Sequence, residues 1–552
     1  MEKRIVSIAV VEDNGMAQIN IRNHLLAMEF NKVDCFSHGR ELKSSMRRRH
    51  YDILLMDFHL GENKNGVEVV QDLKREGLLK ETTSLVFITS DRMPMIIGQI
   101  VDIHPDDLVL KPYTINNLQR TVVNTLKVNL HLKSVHTLMD AKKYAEALEK
   151  LEELMFANKM PRAYNHMLKL KARLLIKLER FDEATLLYKN VLQSSDKIIW
   201  AKWGLIQSEF LAGRSELSEK ILKGMLGTHL TNDKACEWLA RISIDKKEFV
   251  KAEEYMEQIK ESSLSVPATK LKAYLYQIQD KVEDAVGLLE RRREASRSVK
   301  EKFAEYSLEL ARCYLKEAED KPANERADSL QVARFLIGSA GRRTLEDGLD
   351  LKRSYMNVVA AILEGNMEKA ENLLKQEGID NFKKADVSTM TDAVKAWLAV
   401  GDELKASQIL CESENKMLAL EDFTEKTLSN MLISKSEENL GEKRPRALKF
   451  NKQGLELYND HKVNESIDYF YQAYILFPEE PAFGLNLLQS LVEGKIPKHK
   501  EARTLRLFND LSKRELSTGN KKRIEELGDK IEQHRDMFIV VEPAPKNGLL
   551  NQ

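Results

Sequence analysis

Continuous apolar runs alternate with amphipathic stretches over the first 127 residues of this 552-residue chain. The run Ile5–Val11 stops at Glu12-Asp13, and helical spacing follows over Gly15–Met28. Lys32–Phe36 reads as a short strand, Arg40–Arg49 as a helix, and Asp52–Met56 as a buried strand ending at Asp57. A helix over Gly66–Glu76, a strand over Leu85–Thr89 and a weak helix over Ile96–Val101 come next. The strand Leu108–Leu110 and the helix Ile115–Leu126 close the region. Strands that are apolar throughout and interleaved with helices predict an α/β doubly wound, five-stranded parallel sheet covered on both faces.

Beyond residue 133 the pattern changes to helical periodicity alone, with internal repetition. The fragments KKYAEALEKL, ERFDEATLLY, GRSELSEKIL, KEFVKAEEYM and DKVEDAVGLL align on Ala147, Ala184, Ser218, Ala252 and Ala285, at spacings of 37, 34, 34 and 33. An apolar residue stands four positions later in each: Leu151, Tyr188, Leu222, Met256 and Leu289. Twelve residues upstream a second small residue is expected. Ala172, Ala240 and Ala273 supply it, whereas Val135 and Ile206 do not. A period near 34 with a small residue four before an apolar one matches tetratricopeptide (TPR) repeats, paired helices that approach closely at the small side chains. Ala370 with Leu374, Ala406 with Leu410, and the segment carrying Gly454, Ser466, Phe470 and Ala473 extend the register.

These signals divide the chain into an α/β region at 1–128, TPR repeats at 134–296, degenerate helical repeats at 297–365 and further repeats at 366–500. Capping helices at 501–541 and a disordered tail at 542–552 complete the expectation. EAEDKPANERAD and GSAGRRTLEDG read as longer loops, and 434–447 as a joint between two blocks. The whole is an α/β domain followed by an all-α superhelix.

Composition agrees with a helix-rich chain, since only 24 Gly and 12 Pro punctuate it. Basic and acidic residues number 86 each, 17 of each within residues 1–127, so neither half attracts nucleic acid or anionic lipid as a whole. Basic runs such as 47–49, 291–293 and 443–446 lack the aromatic interleaving of a nucleic-acid surface, and no DNA partner is expected. Apolar runs are too short for membrane insertion, and the four cysteines are widely spaced. A cytoplasmic location is the expectation.

Candidate chemistry collects at the carboxyl ends of the predicted strands, where open α/β sheets bind their ligands. Glu12, Asp13 and Asp57 would repel one another there unless a hard cation joined them, and oxygen donors of this kind suit Mg²⁺. Thr89 could hydrogen-bond a phosphoryl oxygen, and Lys111 could neutralise a phosphoryl group passing onto a carboxylate.

The set Glu12-Asp13, DILLMD ending at Asp57, FITS with Thr89 and LKP with Lys111 resembles the receiver domain of two-component response regulators. The resemblance implies that Asp57 accepts a phosphoryl group from a sensor histidine kinase. It also implies that Glu12, Asp13, Asp57 and the backbone carbonyl of His59 hold Mg²⁺, with Thr89 and Lys111 stabilising the phosphoryl group. The chain departs from the family at Leu108, where receivers usually carry an aromatic switch residue, and in the loop Phe58–Gly66, which lacks the usual Pro. The order of domains resembles VieB-type regulators, which implies a signalling protein and not an enzyme in its own right.

By the same resemblance the repeat array binds a protein partner, which could be a sibling regulator or the kinase. Lys169, Arg173 and Lys177 form a basic stripe on its expected concave face, suited to an acidic partner or to a solvated surface. A homodimer stays open, as does the alternative of a constitutive scaffold in which an atypical receiver serves for docking.

Overall fold

The computed structural model describes residues 6–538, apart from 62–63, 91–99, 101–102, 158, 229–230, 342–346, 515 and 517. Most of the helix expected over Ile96–Val101, and the tail from Glu542, lie outside the described residues. The strands are β1 (Ser7–Val11), β2 (Lys32–Phe36), β3 (Ile53–Asp57), β4 (Ser84–Thr89) and β5 (Asp107–Leu110), joined in one parallel sheet of order β2-β1-β3-β4-β5. Helices α1 (Gly15–Ala27), α2 (Gly39–Met46) and α3 (Gly66–Arg75) follow the first three strands.

Side chains alternate across each strand, so a run that is apolar throughout feeds two cores. Ala9, Val11, Leu54, Met56, Leu85 and Phe87 join Leu42, Met46, Val70 and Leu73 of α2 and α3 on one face. Ile8, Val10, Ile53, Leu55, Val86 and Ile88 join Ile21 and Leu25 of α1 and Leu118 and Val122 on the other. Helix starts are capped by side chains: Asn14 accepts from the Ala17 amide, and Asn65 and Glu68 form a reciprocal capping box.

The helix that closes the sheet does not stop near Leu126 but runs unbroken from Ile115 to Asp140. Its first half packs on the sheet through Leu118, Val122 and Leu126, and its second half, through Leu132, Val135 and Met139, packs with the helices that follow. A single helix therefore belongs to both regions. Neither half contains a Gly or Pro that would end it.

From Tyr144 on, the described chain is helical almost throughout, in pairs. The small residues Ala147, Ala184, Ser218, Ala252, Ala285, Ala370, Ala406 and Ser466 are all completely buried. Five positions before each stands a residue with φ between 58° and 86°: Lys142, Glu179, Gly213, Lys247, Asp280, Gly365, Gly401 and His461. The amide of the next residue donates back to the carbonyl five positions earlier, as from Lys143 to Leu138, Arg214 to Glu209, Lys281 to Tyr276 and Lys462 to Leu457. This is the Schellman ending, which satisfies the last carbonyls of a helix and turns the chain sharply. The same turn recurs eight times at fixed register, so the repeat is built into the backbone as well as the side chains.

Two of the expected features differ. The chain divides into two compact units, Met1–Asp320 with Gln331–Glu346, and Lys321–Leu330 with Asp347–Gln552. The division does not fall at 434–447, where only Gly441 and Glu442 separate the helices Phe423–Leu440 and Lys443–Asn459. The longer loop expected at 317–328 is also short, because Lys300–Asp320 remains helical to its end and Ala327 starts the next helix. Charged, alanine-rich sequence has high helix propensity even where it looks loop-like. Helices Thr504–Ser512 and Thr518–Gln533 close the second unit, preceded by a two-residue hairpin that the pattern does not reveal.

Candidate phosphoacceptor site in the α/β domain

The sheet ends bring Glu12, Asp13 and Asp57 together, with one carboxylate oxygen of each within 4.8 Å of the others. Glu12 and Asp57 are buried, whereas Asp13 is exposed. Lys111 bridges the buried pair: its Nζ lies 2.7 Å from Glu12 Oε2 and 2.9 Å from Asp57 Oδ2. Asp57 Oδ1 is buried and has no hydrogen-bond partner among the described residues. A buried carboxylate oxygen left bare is costly unless something else satisfies it.

Electrostatics follow from that arrangement. Burial pushes the Glu12 carboxyl above its ordinary value, and the neighbouring Asp57 adds to the rise while Lys111 opposes it. Burial disfavours the Lys111 ammonium, but hydrogen bonds and attraction from Glu12 and Asp57 outweigh it and raise the lysine further. Lys111 is thus held charged, and two carboxylates share one cation. The donor set is all oxygen and in excess of its positive charge, which fits a hard divalent ion such as Mg²⁺.

Thr89 is fully buried at the end of β4, and its carbonyl accepts the Lys111 amide at 2.7 Å. Leu108 pairs in register with Phe87 and packs against the core on the α2–α3 face. The His59 side chain is exposed, with its ring edge-on to Phe58 at 4.9 Å.

Two glycines shape the loop after Asp57. Gly61 has a φ of +62°, and a Cβ there would stand 2.9 Å from Asp13 Oδ2. Gly66 donates its amide to the Phe58 carbonyl, and a Cβ on it would lie 2.1 Å from the carbonyl oxygen of Asp57. The motif reading missed both. Their signal was the two-glycine loop GENKNG itself, since a Gly at the start of a helix next to a functional carboxylate marks close backbone approach.

The basic stripe of the helical region is only partly surface. Arg173 donates to Glu81 Oε1 at 2.7 Å, from the helix Tyr164–Lys177 to the loop before β4. Lys169 lies 5.8 Å from the centre of the Trp200 ring and feels the charges of Asp106 and Asp107 at the start of β5. Lys177 is exposed. Asp106 and Asp107 belong to the HPDD that stands before strand five in place of the family's usual Gly-Ala, whereas Glu81 was not singled out by sequence, for nothing local marks a residue whose partner is 92 positions away.

Among the described residues no helix is long and apolar enough to cross a membrane. No curated protein matches the sequence. Among solved structures the chain is similar to the beryllofluoride-activated receiver domain of DrrB, at 20% identity over 22% of this chain and 97% of that one, with a TM-score of 0.20. It is also similar to RcsB from Salmonella enterica serovar Typhimurium bound to a promoter, at 16% identity over 31% of this chain and 92% of that one, again with a TM-score of 0.20. The model of the response regulator receiver domain matches residues 8–123, the segment that holds the whole carboxylate cluster together with Lys111. Residues 8–123 are a response regulator receiver domain.

Proposed function

We propose that this protein is the response regulator of a two-component phosphorelay, phosphorylated on Asp57 by a sensor histidine kinase, with a TPR array that binds a protein partner. The observation that carries the reading is the bare, buried Oδ1 of Asp57 beside Glu12, Asp13 and the Lys111 ammonium. In the transfer, a carboxylate oxygen of Asp57 attacks phosphorus and forms an acyl phosphate. The P–N bond of the phosphohistidine breaks, and the imidazole nitrogen leaves with the electron pair. Lys111 sits where it can neutralise charge on the phosphoryl oxygens, and Thr89 stands at the neighbouring strand end to donate a hydrogen bond. Glu12, Asp13, Asp57 and the His59 carbonyl would hold Mg²⁺, which supplies charge neutralisation for the phosphoryl group.

The TPR reading rests on the eight buried small residues and the eight Schellman turns at one register. Stacked helical pairs of this kind form extended surfaces suited to peptides or helices. Incubation with a radiolabelled small phosphodonor such as acetyl phosphate tests the first part. Label that appears only with Mg²⁺ and is lost in Asp57→Ala is expected; label persisting in that variant would overturn the assignment.

A further inference from the structure

The helical region grips the receiver at two places, both within the first compact unit. At the foot of β4 and β5, Arg173 pairs with Glu81, and Asp140 accepts from the amides of Glu81 and Thr82 at 2.7 and 3.3 Å. Positive charge from Arg173, Lys169 and Lys234 gathers around His104 and the adjoining Asp106 and Asp107. At the other grip the helix Lys300–Asp320 presents its first turn to the loop after the phosphoacceptor. Lys302 Nζ lies 2.8 Å from Glu68 Oε1, and Glu301 lies 4.0 Å from Lys64 and 3.8 Å from Arg40.

The second grip is wired to the site. The Glu68 carboxylate that takes Lys302 also accepts the Asn65 amide, closing the capping box. Asn65 precedes Gly66, which leaves no space over the Asp57 carbonyl, and a Cβ on Gly61 would stand 2.9 Å from the Asp13 carboxylate. A loop this tight on the acidic cluster has to shift when a phosphoryl group adds three oxygen atoms at Asp57 and takes its negative charge from one to about two. That shift is passed to Asn65 and Glu68, and so to Lys302.

Resting on the phosphorelay reading above, we infer that the receiver is a cis occupant of a basic face of the array and that phosphorylation at Asp57 loosens it. The face so released, around Lys169, Arg173 and Lys234, takes an acidic segment of a partner. The receiver edge that fills it now, Glu81 with Asp106 and Asp107, is itself acidic, so its chemistry specifies what can replace it. Receiver and partner compete for one surface.

The test uses the full chain with Mg²⁺ and beryllofluoride, a phosphoryl mimic. Fluorine NMR reports whether the mimic binds. Amide exchange reports residues 78–84, 164–177 and 300–305, and fluorescence anisotropy reports binding of a labelled deca-glutamate peptide. Expected is a bound fluorine signal, faster exchange at all three segments by about fivefold or more, and peptide binding that appears only with the mimic. Lys302→Glu should open the same segments and bind the peptide without beryllofluoride, while Lys302→Arg stays closed. Additional Arg173→Glu in the Lys302→Glu variant should abolish peptide binding. No fluorine signal would overturn the phosphoacceptor reading and this inference with it. A signal without any change in exchange, or exchange without peptide binding, would overturn this inference alone.

Discussion

Gly66 stands against Asp57 with no room for a side chain: a Cβ there would lie 2.1 Å from the carbonyl oxygen of Asp57. The atom in the way is backbone and cannot rotate aside. Gly66→Ala must therefore push α3 away from β3. A loss of about 1–3 kcal/mol is expected from such overpacking, read as a lower urea midpoint. Phosphoryl labelling should fall along with it, because the loop that frames Asp57 moves. Unchanged stability and labelling would show that the loop has slack.

Asp72 is a buried carboxylate in α3 with Lys64 at 3.0 Å, Lys43 at 3.1 Å and Arg75 at 3.6 Å. Burial works against its charge, but the three cations win and hold its carboxyl well below the ordinary range. A depressed carboxyl contributes stability that is complete above its unfolded value, near 4, and is lost as pH falls below that. Asp72→Asn should cost about 3 kcal/mol near pH 7, and the gap from wild type should narrow on acidification toward about pH 3. Equal gaps at both pH values would contradict the assignment.

Five of the eight Schellman turns place a residue with a side chain in the left-handed region: Lys142, Glu179, Lys247, Asp280 and His461. Such positions favour glycine, which adopts positive φ without steric cost. Lys247→Gly and Glu179→Gly are each expected to stabilise the protein by about 0.5–1 kcal/mol, measured as a rise in melting temperature. The same change at Lys251, within the helix Phe249–Glu257, should destabilise by a similar amount.

Two glycines let neighbouring helices touch. A Cβ on Gly204 would lie 2.2 Å from the Tyr188 ring, and one on Gly454 would lie 2.7 Å from the Phe470 ring. Gly204→Ala should cost about 1–3 kcal/mol even though alanine is the better helix former. Combining it with Tyr188→Leu should recover part of the loss, because the obstacle is a ring and not backbone. Purely additive losses in the double variant would show that the two do not meet.

Much of the α/β domain was legible because its signals are local. An apolar run five residues long, bounded by acids, can hardly be anything but a buried strand between two helical layers. The position after such a strand is where chemistry collects. Glu12, Asp13, Asp57, Thr89 and Lys111 were found that way. The repeat register was legible for a related reason, since Ala147, Ala184, Ala252 and Ala285 are packing positions that recur along the chain. In the third pair position 206 is an isoleucine, yet the helices still meet there, with the Ser218 hydroxyl donating to the Ile206 carbonyl at 2.9 Å, and Gly204 marks a separate approach to the Tyr188 ring of the preceding pair. Spacing within one pair does not reveal where a ring from the neighbouring pair comes in.

What sequence by itself determined, then, is the order of elements, the sheet with its five strand-end residues, and the periodic burial of small side chains. All of these depend on residues within one or two turns of each other, where backbone geometry leaves few choices. Tertiary structure decided the rest. That the helix Ile115–Asp140 serves two regions, that Arg173 finds Glu81, and that Lys302 reaches the capping box of α3 are matters of pairing over long separations. A charged residue has the same sequence signature whether it faces water or a partner far along the chain. Only packing brings the two carboxylates and the lysine at the site, or the two grips on the receiver, to within hydrogen-bonding distance.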